Sequence, residues 1–320
     1  MSEKVVILPG RNSEFLAKQI AKICGYELGI VKWRMFEDRE YKPVIKTNVR
    51  KATVYIINAT NAPGENLDDV MFLEDAAKRA SAKEIIFVCP YFGTSRQERK
   101  DEPRTCITAA LNAKRINNSR ISKFIVFDLH ADAIQGFFDM PVDHLFASFL
   151  FVKDMEKLDL RNTVFASPDT GGVKRVENYA DYFLCQMALF FKGRVSDKPN
   201  AIKEMRFVGN VKGKDVILVD DIFDTLGTIS KASKILKKEG AESIRAYGTH
   251  PVLSGKSYRR MKMMKEVEFI VTDTVPIPQK FLDLPNFRVI TIAEFTAEVI
   301  KRDVNGDSIS EMFIFKNRNS

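Results

Sequence analysis

The stretch Val216-Ile-Leu-Val-Asp220-Asp221-Ile-Phe-Asp224-Thr225-Leu226-Gly227-Thr228 constrains this chain more than any other. Four successive apolar residues, three of them β-branched, predict a strand buried on both faces. A carboxylate pair ends the strand, and an acidic, hydroxyl-bearing turn follows it. From Thr228 the spacing predicts a helix that Gly240 caps. Open α/β sheets bind their ligands where a strand passes through such a turn into a helix.

The turn has a chemistry of its own. The backbone N–H groups of Thr225, Leu226, Gly227 and Thr228 can converge on a phosphate at the helix N-terminus, helped by the threonine hydroxyls and the helix dipole. Gly227 lets the backbone come close to the anion. Asp220 and Asp221 would repel that phosphate, so they need another task. A sugar diol, or a cation carried with the substrate, supplies one. A phosphate loop preceded by diol-binding acids fits ribose 5-phosphate better than a nucleoside triphosphate, and the chain has no G-x-x-x-x-G-K-[ST] loop. One aspartate alone would mean only a buried strand with a polar turn.

The 320 residues suffice for two domains of ordinary size. A hydrophobic content of 45% with 29% charged residues is that of a soluble globular protein. No apolar run approaches the roughly 20 residues of a membrane span, so no membrane partner is expected. The opening Met-Ser-Glu-Lys-Val-Val has no secretory pattern. Cys24, Cys89, Cys106 and Cys185 are scattered, which predicts reduced thiols in a cytoplasmic protein and no zinc site. The net charge of +8 is spread along the chain. Compact anionic substrates account for it, and no nucleic-acid partner is expected.

Short apolar strands alternate with helical patterns throughout. Strands are predicted at 5–8, 53–58, 84–89, 124–129, 163–166, 206–208, 215–219, 243–248, 268–272 and 288–292. Helical spacing falls at 13–24, 67–82, 105–118 and 172–190. This rhythm predicts an α/β fold of mainly parallel sheets flanked by helices. Two rounds of it meet near residues 145–155 and suggest two similar domains.

In the first half, Phe36-Glu-Asp38-Arg39-Glu40 is a charged turn with one aromatic. Pro90-Tyr-Phe-Gly-Thr-Ser-Arg96-Gln97-Glu98-Arg99-Lys100 follows a buried strand. Its cations could neutralise a polyphosphate, and Phe36 could cover a purine face. Taken alone, both segments read as solvated loops. The strand at Phe124 runs into Asp128-Leu-His130-Ala-Asp132, with Asp139 and Asp143 beyond. Four carboxylates so close to one histidine suit Mg²⁺ held partly through water and substrate phosphates. A lone histidine at a strand end is more often structural.

Arg96-Gln97, Asp128-Leu-His130-Ala, Ile134-Gln-Gly-Phe-Phe-Asp139-Met-Pro-Val-Asp143, Ser167-Pro-Asp169-Thr-Gly171-Gly172-Val-Lys-Arg175, the stretch from Val219 to Thr228 and Asn305-Gly-Asp-Ser308-Ile-Ser310 occur together. Collectively they resemble the ribose-phosphate diphosphokinase (phosphoribosyl-diphosphate synthetase) family, in its order and close to its spacing. Phosphoribosyltransferases share only the loop around Asp220. The resemblance implies two phosphoribosyltransferase-type domains, 1–148 for ATP and 149–320 for ribose 5-phosphate, with the last residues able to return to the first domain. It implies transfer of the β,γ-diphosphoryl group of MgATP to O1 of ribose 5-phosphate, giving AMP and 5-phosphoribosyl 1-diphosphate for nucleotide biosynthesis.

Residue by residue, the resemblance implies ATP binding by Phe36, Asp38, Arg39, Glu40, Arg96, Gln97 and Arg99. Asp220, Asp221 and Asp224 to Thr228 would hold ribose 5-phosphate, and Asp169, Thr170, Gly171 and Gly172 the diphosphate. His130, Asp169 and Asp128 would contact Mg²⁺, with His130 also counted as catalytic. The segment after Phe191 is polar, with glycine and proline, and its composition reads as a surface loop. In the family it is a flap with a Lys-x-Arg pair, which Lys192 and Arg194 reproduce; two cations closing over a transferring phosphoryl group stabilise its charge. Arg50, Arg104, Gln135, Ser308 and Ser310 match a regulatory site for phosphate or ADP. A homo-oligomer, a hexamer built from dimers, is also implied.

The sequence departs from the family pattern in a longer segment between Arg194 and Val208, and at Asn48, Glu98, Glu102 and His144. Two other readings stay open: a non-catalytic regulatory subunit of such a synthetase, and a phosphoribosyltransferase. The second leaves the whole first half of the chain without a task.

Overall fold

A computed structural model describes residues 3–194 and 203–313. The chain divides into two compact units. Unit 1 comprises Met1–Phe146, Thr274–Pro276 and Thr291–Met312; unit 2 comprises chiefly Ala147–Asp273 and Ile277–Ile290.

Unit 1 contains β1 (Val5–Pro9), α1 (Glu14–Cys24), β2 (Glu27–Leu28), β3 (Val31–Met35), β4 (Tyr41–Ile45), β5 (Thr53–Ile57), α2 (Glu65–Arg79), β6 (Glu84–Cys89), α3 (Thr108–Asn117), β7 (Lys123–Phe127) and β8 (Val142–Leu145). Unit 2 contains α4 (Ser148–Met155), β9 (Thr163–Ser167), α5 (Val173–Phe183), β10 (Gln186–Arg194), β11 (Lys203–Val208), β12 (Asp215–Ile222), α6 (Gly227–Lys238), β13 (Ser243–His250), α7 (Ser257–Met263), β14 (Val267–Thr272), α8 (Gln279–Leu282) and β15 (Phe287–Ile290). The last helix, α9 (Ala293–Asn305), belongs to unit 1 and packs on α1.

The two units repeat one topology. The unit 1 sheet runs β2-β1-β5-β6-β7-β8, all parallel. The unit 2 sheet runs β10-β9-β12-β13-β14-β15 in parallel, with β11 added antiparallel at the β10 edge. In each, strand order reverses beside the first strand, which makes β1/β5 and β9/β12 the switch points where such sheets open a crevice.

Parallel strands covered on both sides need apolar side chains on both faces. In β12, Val216 and Leu218 enter one core with Ile229 and Leu236 of α6. Ile217 and Val219 enter another with Phe151 and Phe165. All four are buried, at about 2 kcal/mol each, which fixes the register that delivers Asp220 and Asp221 to the ligand-facing edge. Gly240 lies just beyond α6 at φ +85°, as its sequence position predicts.

Two sequence expectations need correction. The helix predicted over 172–190 stops at Phe183, where Leu184 turns left-handed at φ +55° and ends it. Gln186 onward is strand β10: Ala188 and Phe190 enter one core while Met187 packs against the other, a period of two. The polar segment expected as a loop after Phe191 therefore begins as a β-ladder, with Lys192 opposite Met205 and Arg194 opposite Lys203. The tip between β10 and β11 lies outside the described residues. The β3–β4 hairpin and α9 were not anticipated at all.

Candidate active site

In unit 2 the strand-to-helix turn is anchored by its apolar residues and presents its polar ones. Phe223 and Leu226 are buried. The Phe223 N–H donates to the His250 carbonyl (2.9 Å), and its own carbonyl accepts from Leu253 N–H (2.9 Å). Leu226 adopts φ +59°, a costly conformation for a branched residue, held by the burial of its side chain. The first bond of α6 runs from Ser230 N–H to the Leu226 carbonyl (3.0 Å). The amides of Thr225, Leu226, Gly227 and Thr228 consequently have no backbone acceptor among the described residues. A Cβ added at Gly227 would lie 3.6 Å from Thr225 Oγ1 and fill the hollow. The Asp224 carboxylate accepts from Ser254 Oγ, and Arg260 Nη1 donates to the Thr225 carbonyl (2.7 Å).

Beside the turn, Asp220 Oδ1 accepts from the Asp221 N–H (3.0 Å). Burial and the adjacent Asp221 charge push the Asp220 carboxyl well above the usual carboxylate range, against the opposing pull of Arg175. Arg175 Nη1, from α5, lies 3.5 Å from Asp221 Oδ1 and 4.0 Å from Asp220 Oδ1. A diol or cation placed here would relieve the crowded negative charge.

After β9, Asp169 precedes a 3-10 turn over Thr170–Gly172 and accepts from Gly171 N–H (3.0 Å). The Ser167 hydroxyl donates to the Asp169 carbonyl (2.5 Å). A Cβ at Gly172 would stand 2.6 Å from that hydroxyl and would displace it from its bond to the Asp169 carbonyl. β9 and β12 are neighbours at the switch point, which brings this turn beside the Asp220–Thr228 loop.

In unit 1 the candidate residues lie on three separate segments. Phe36, Asp38, Arg39 and Glu40 form the tip of the β3–β4 hairpin, where Asp38 Oδ1 accepts from Glu40 N–H (3.0 Å) and Arg39 sits at φ +73°. Phe36 is half-exposed, with Lys42 Nζ 5.4 Å above its ring. In the loop after β6, Gln97 accepts from Thr108 Oγ1 (2.7 Å), and the exposed Arg99 lies 3.5 Å from Glu98. Asp128, at φ +33°, and the exposed His130 follow β7. Leu129 N–H between them donates to His144 Nε2 (2.9 Å). Burial lowers the His144 pKa, opposed by Asp128 and Asp132.

The carboxylates around His130 do not gather into a cage. Asp143 faces Lys123 (3.6 Å), Asp132 faces His144 (3.8 Å), and among the described residues no three His, Cys, Asp or Glu side chains could together hold an ion. The five regulatory candidates are likewise unconnected by any hydrogen bond or ion pair among the described residues. Arg50 N–H bonds Asn48, Gln135 bonds the Asp132 carbonyl, and the Ser308 carbonyl accepts from Arg302. Arg104 stands at φ +63°, and Ser310 opens the turn Ser310–Phe313.

The N-terminal domain of ribose phosphate pyrophosphokinase matches residues 5–119, and the phosphoribosyl synthetase-associated domain matches residues 194–314. A ribose-phosphate pyrophosphokinase of Porphyromonas gingivalis is 41% identical over 310 residues, 97% of each chain. One from Campylobacter jejuni is 41% identical over 304 residues, 95% of this chain and 96% of that one. This chain belongs to the ribose-phosphate pyrophosphokinase family. The crystal structure of phosphoribosylpyrophosphate synthetase from Mycobacterium smegmatis has the same fold, with a TM-score of 0.88 at 31% identity, covering 95% of this chain and all of that one. No helix among the described residues is long and apolar enough to cross a membrane.

For a ribose-phosphate pyrophosphokinase the scattered acids are apt. Mg²⁺ keeps several waters and takes one or two protein ligands plus substrate phosphates, so single donors at strand ends such as Asp128, His130 and Asp169 fit it without a cage. Sequence reading missed Ser254 and Arg260 as partners of the Asp224–Thr228 turn, and gave Arg175 no role. Ser254 and Arg260 follow β13, the strand beside β12. Only strand order brings them to the turn.

Proposed function

We propose that this enzyme carries out its ribose-phosphate pyrophosphokinase reaction by holding ribose 5-phosphate in unit 2 and MgATP chiefly through unit 1. The observation that carries the reading is the run of unpaired amides from Thr225 to Thr228 behind a crowded Asp220–Asp221 pair. The amides bind the 5-phosphate, and the carboxylates accept from the ribose hydroxyls, whose O–H groups ease the charge crowding. Asp224 is already oriented by Ser254. The Asp169–Gly172 turn receives the diphosphate.

On the ATP side, Phe36 stacks on the purine and Asp38, Glu40, Arg96, Gln97 and Arg99 hold the remainder, with Arg39 at the hairpin tip. Asp128 and His130 in unit 1, and Asp169 in unit 2, would serve as ligands for Mg²⁺ carried with the substrates, which would neutralise polyphosphate charge. The anomeric hydroxyl attacks the β-phosphorus, its O–P bond forms as the bond to the α-phosphate oxygen breaks, and AMP leaves. Lys192 and Arg194 stabilise the charge on the transferring group; positioning and charge neutralisation supply most of the rate. Assembly is as a homo-oligomer, a hexamer built from dimers, a reading supported by the exposed Phe15, Ile30 and Met35. Phosphate and ADP act through Arg50, Arg104, Gln135, Ser308 and Ser310.

The test uses purified protein with Mg²⁺, ribose 5-phosphate and ATP labelled at the γ-phosphate. The expected result is AMP with label in the sugar product, dependent on both substrates. ADP formation, or label released as phosphate, would contradict the reading.

A further inference from the structure

Most partly buried arginines of this chain face an acid. Arg11 pairs with Asp69, Arg175 with Asp221, Arg245 with Glu268 and Arg302 with Glu298. Arg260, in α7, does not. It is partly buried, yet among the described residues it makes no ion pair, and its one hydrogen bond runs from Nη1 to the Thr225 carbonyl (2.7 Å). The same Nη1 lies 3.6 Å from where a Cβ on Gly227 would project, so the guanidinium lines the hollow of the unpaired amides.

The charge balance there calls for a cation. Asp220, Asp221 and Asp224 stand on the turn or at its entry, and Arg175 is already directed at the first two. A sugar phosphate dianion must be drawn to a loop flanked by three acids, where dipoles and neutral amides alone give limited attraction. An arginine has five N–H donors in a planar fork, and one bond to a carbonyl leaves the rest of the fork for phosphate oxygens.

We propose that Arg260 is a further binding determinant for the sugar phosphate: it pins the Thr225 carbonyl, which sets the loop, and presents its remaining guanidinium edge to the 5-phosphate. This rests on the reading of the Thr225–Thr228 loop as the ribose 5-phosphate site. The Thr225 contact makes Arg260 specific for a phosphorylated sugar, since an unphosphorylated pentose would leave the cation unpaired.

The experiment is steady-state kinetics of the full chain carrying Arg260→Gln, which keeps a donor for the carbonyl and removes the charge. Losing a charge-assisted hydrogen bond should raise KM for ribose 5-phosphate about tenfold or more while KM for ATP and kcat change less than about twofold. That KM should also lose most of its dependence on ionic strength. An unchanged KM for ribose 5-phosphate overturns the proposal. Equal losses for both substrates, with a lower melting temperature, overturn it in favour of a packing role. Should Arg260→Gln fail to fold, Arg260→Lys carries the test. It keeps the charge but lacks the fork, and KM for ribose 5-phosphate should rise about threefold with the salt dependence retained. No change in that KM overturns the proposal. Thr228→Ala, measured alongside, guards the underlying reading. If that variant leaves KM for ribose 5-phosphate intact the site assignment itself fails, whereas a raised KM there with a normal one in Arg260→Gln rejects Arg260 alone.

Discussion

The switch points of the two units share a topology and have opposite contents. At β1/β5 in unit 1 the crevice is filled by asparagines. Asn12 N–H donates to Asn58 Oδ1 (3.1 Å), Asn12 Nδ2 to the Ala59 carbonyl (2.9 Å), and Asn58 Nδ2 to the Asn66 carbonyl (2.7 Å). A Cβ on Gly10 would strike Asn58 at 2.3 Å. At β9/β12 in unit 2 the corresponding turns leave amides unpaired and two carboxylates crowded. One crevice has satisfied its own polar groups; among the described residues the other leaves backbone amides unpaired, as the proposed ligand site requires. Topology places a crevice, and side chains decide whether it is a site. The residues proposed to bind ATP lie away from the unit 1 switch point, on a hairpin tip and on the loops after β6 and β7.

The largest effect should come from the flap. Lys192→Ala or Arg194→Ala should lower kcat about a thousandfold, the order found for charge-stabilising cations in phosphoryl transfer, with ribose 5-phosphate affinity little changed. Single-turnover rates and equilibrium binding separate the two. Equal losses in both would move these residues into the binding site.

Next, Asp220→Asn should raise KM for ribose 5-phosphate about tenfold or more. It should also alter stability in a pH-dependent way. The folded-state pKa of Asp220 is raised, so its contribution to stability is fully present below the ordinary aspartate pKa and is lost as pH climbs through the raised value. The free enzyme should therefore lose melting temperature as pH rises above the ordinary aspartate pKa, and Asp220→Asn should lose less. Parallel melting curves would show that the crowding carries no cost.

A smaller change tests the filled crevice. Asn58→Ala removes a fully buried side chain with bonds to two segments, and should cost about 1–3 kcal/mol of stability with both KM values unchanged. A selective rise in KM for ATP would mean that the unit 1 switch point also serves the ligand.

The smallest effect concerns His144. Its folded-state pKa is lowered by burial, against the opposing pull of Asp128 and Asp132, and its Nε2 accepts from Leu129 N–H, an acceptor that protonation removes. Its stabilisation is present above the ordinary histidine pKa of about 6.5 and is lost as pH falls below that value and through the lowered folded-state pKa. His144→Asn should flatten the decline in activity and stability below that pH, because an amide oxygen can accept without titrating. An unaltered profile would exclude His144 as its source.

Much of this was legible in the sequence because the decisive turn is local. The run from Val216 to Thr228 contains its own strand, acids, anchors and helix start, so thirteen consecutive residues specify the cradle. Where contacts cross the sheet the sequence was silent. Arg260 lies thirty-five positions from the carbonyl it holds. The four carboxylates near His130 looked like a cluster because they are close in sequence, yet two of them face other partners, Asp143 toward Lys123 and Asp132 toward His144. The 172–190 helix was overextended because Leu184 ends it without glycine or proline, using a conformation that sequence seldom announces.

The most direct test is a crystal structure of the enzyme with ribose 5-phosphate bound. The account expects the 5-phosphate at hydrogen-bond distance, about 2.7–3.2 Å, from the amides of Thr225 to Thr228, with the ribose hydroxyls on Asp220 and Asp221. A sugar phosphate seated elsewhere, with those amides still unpaired, would contradict it.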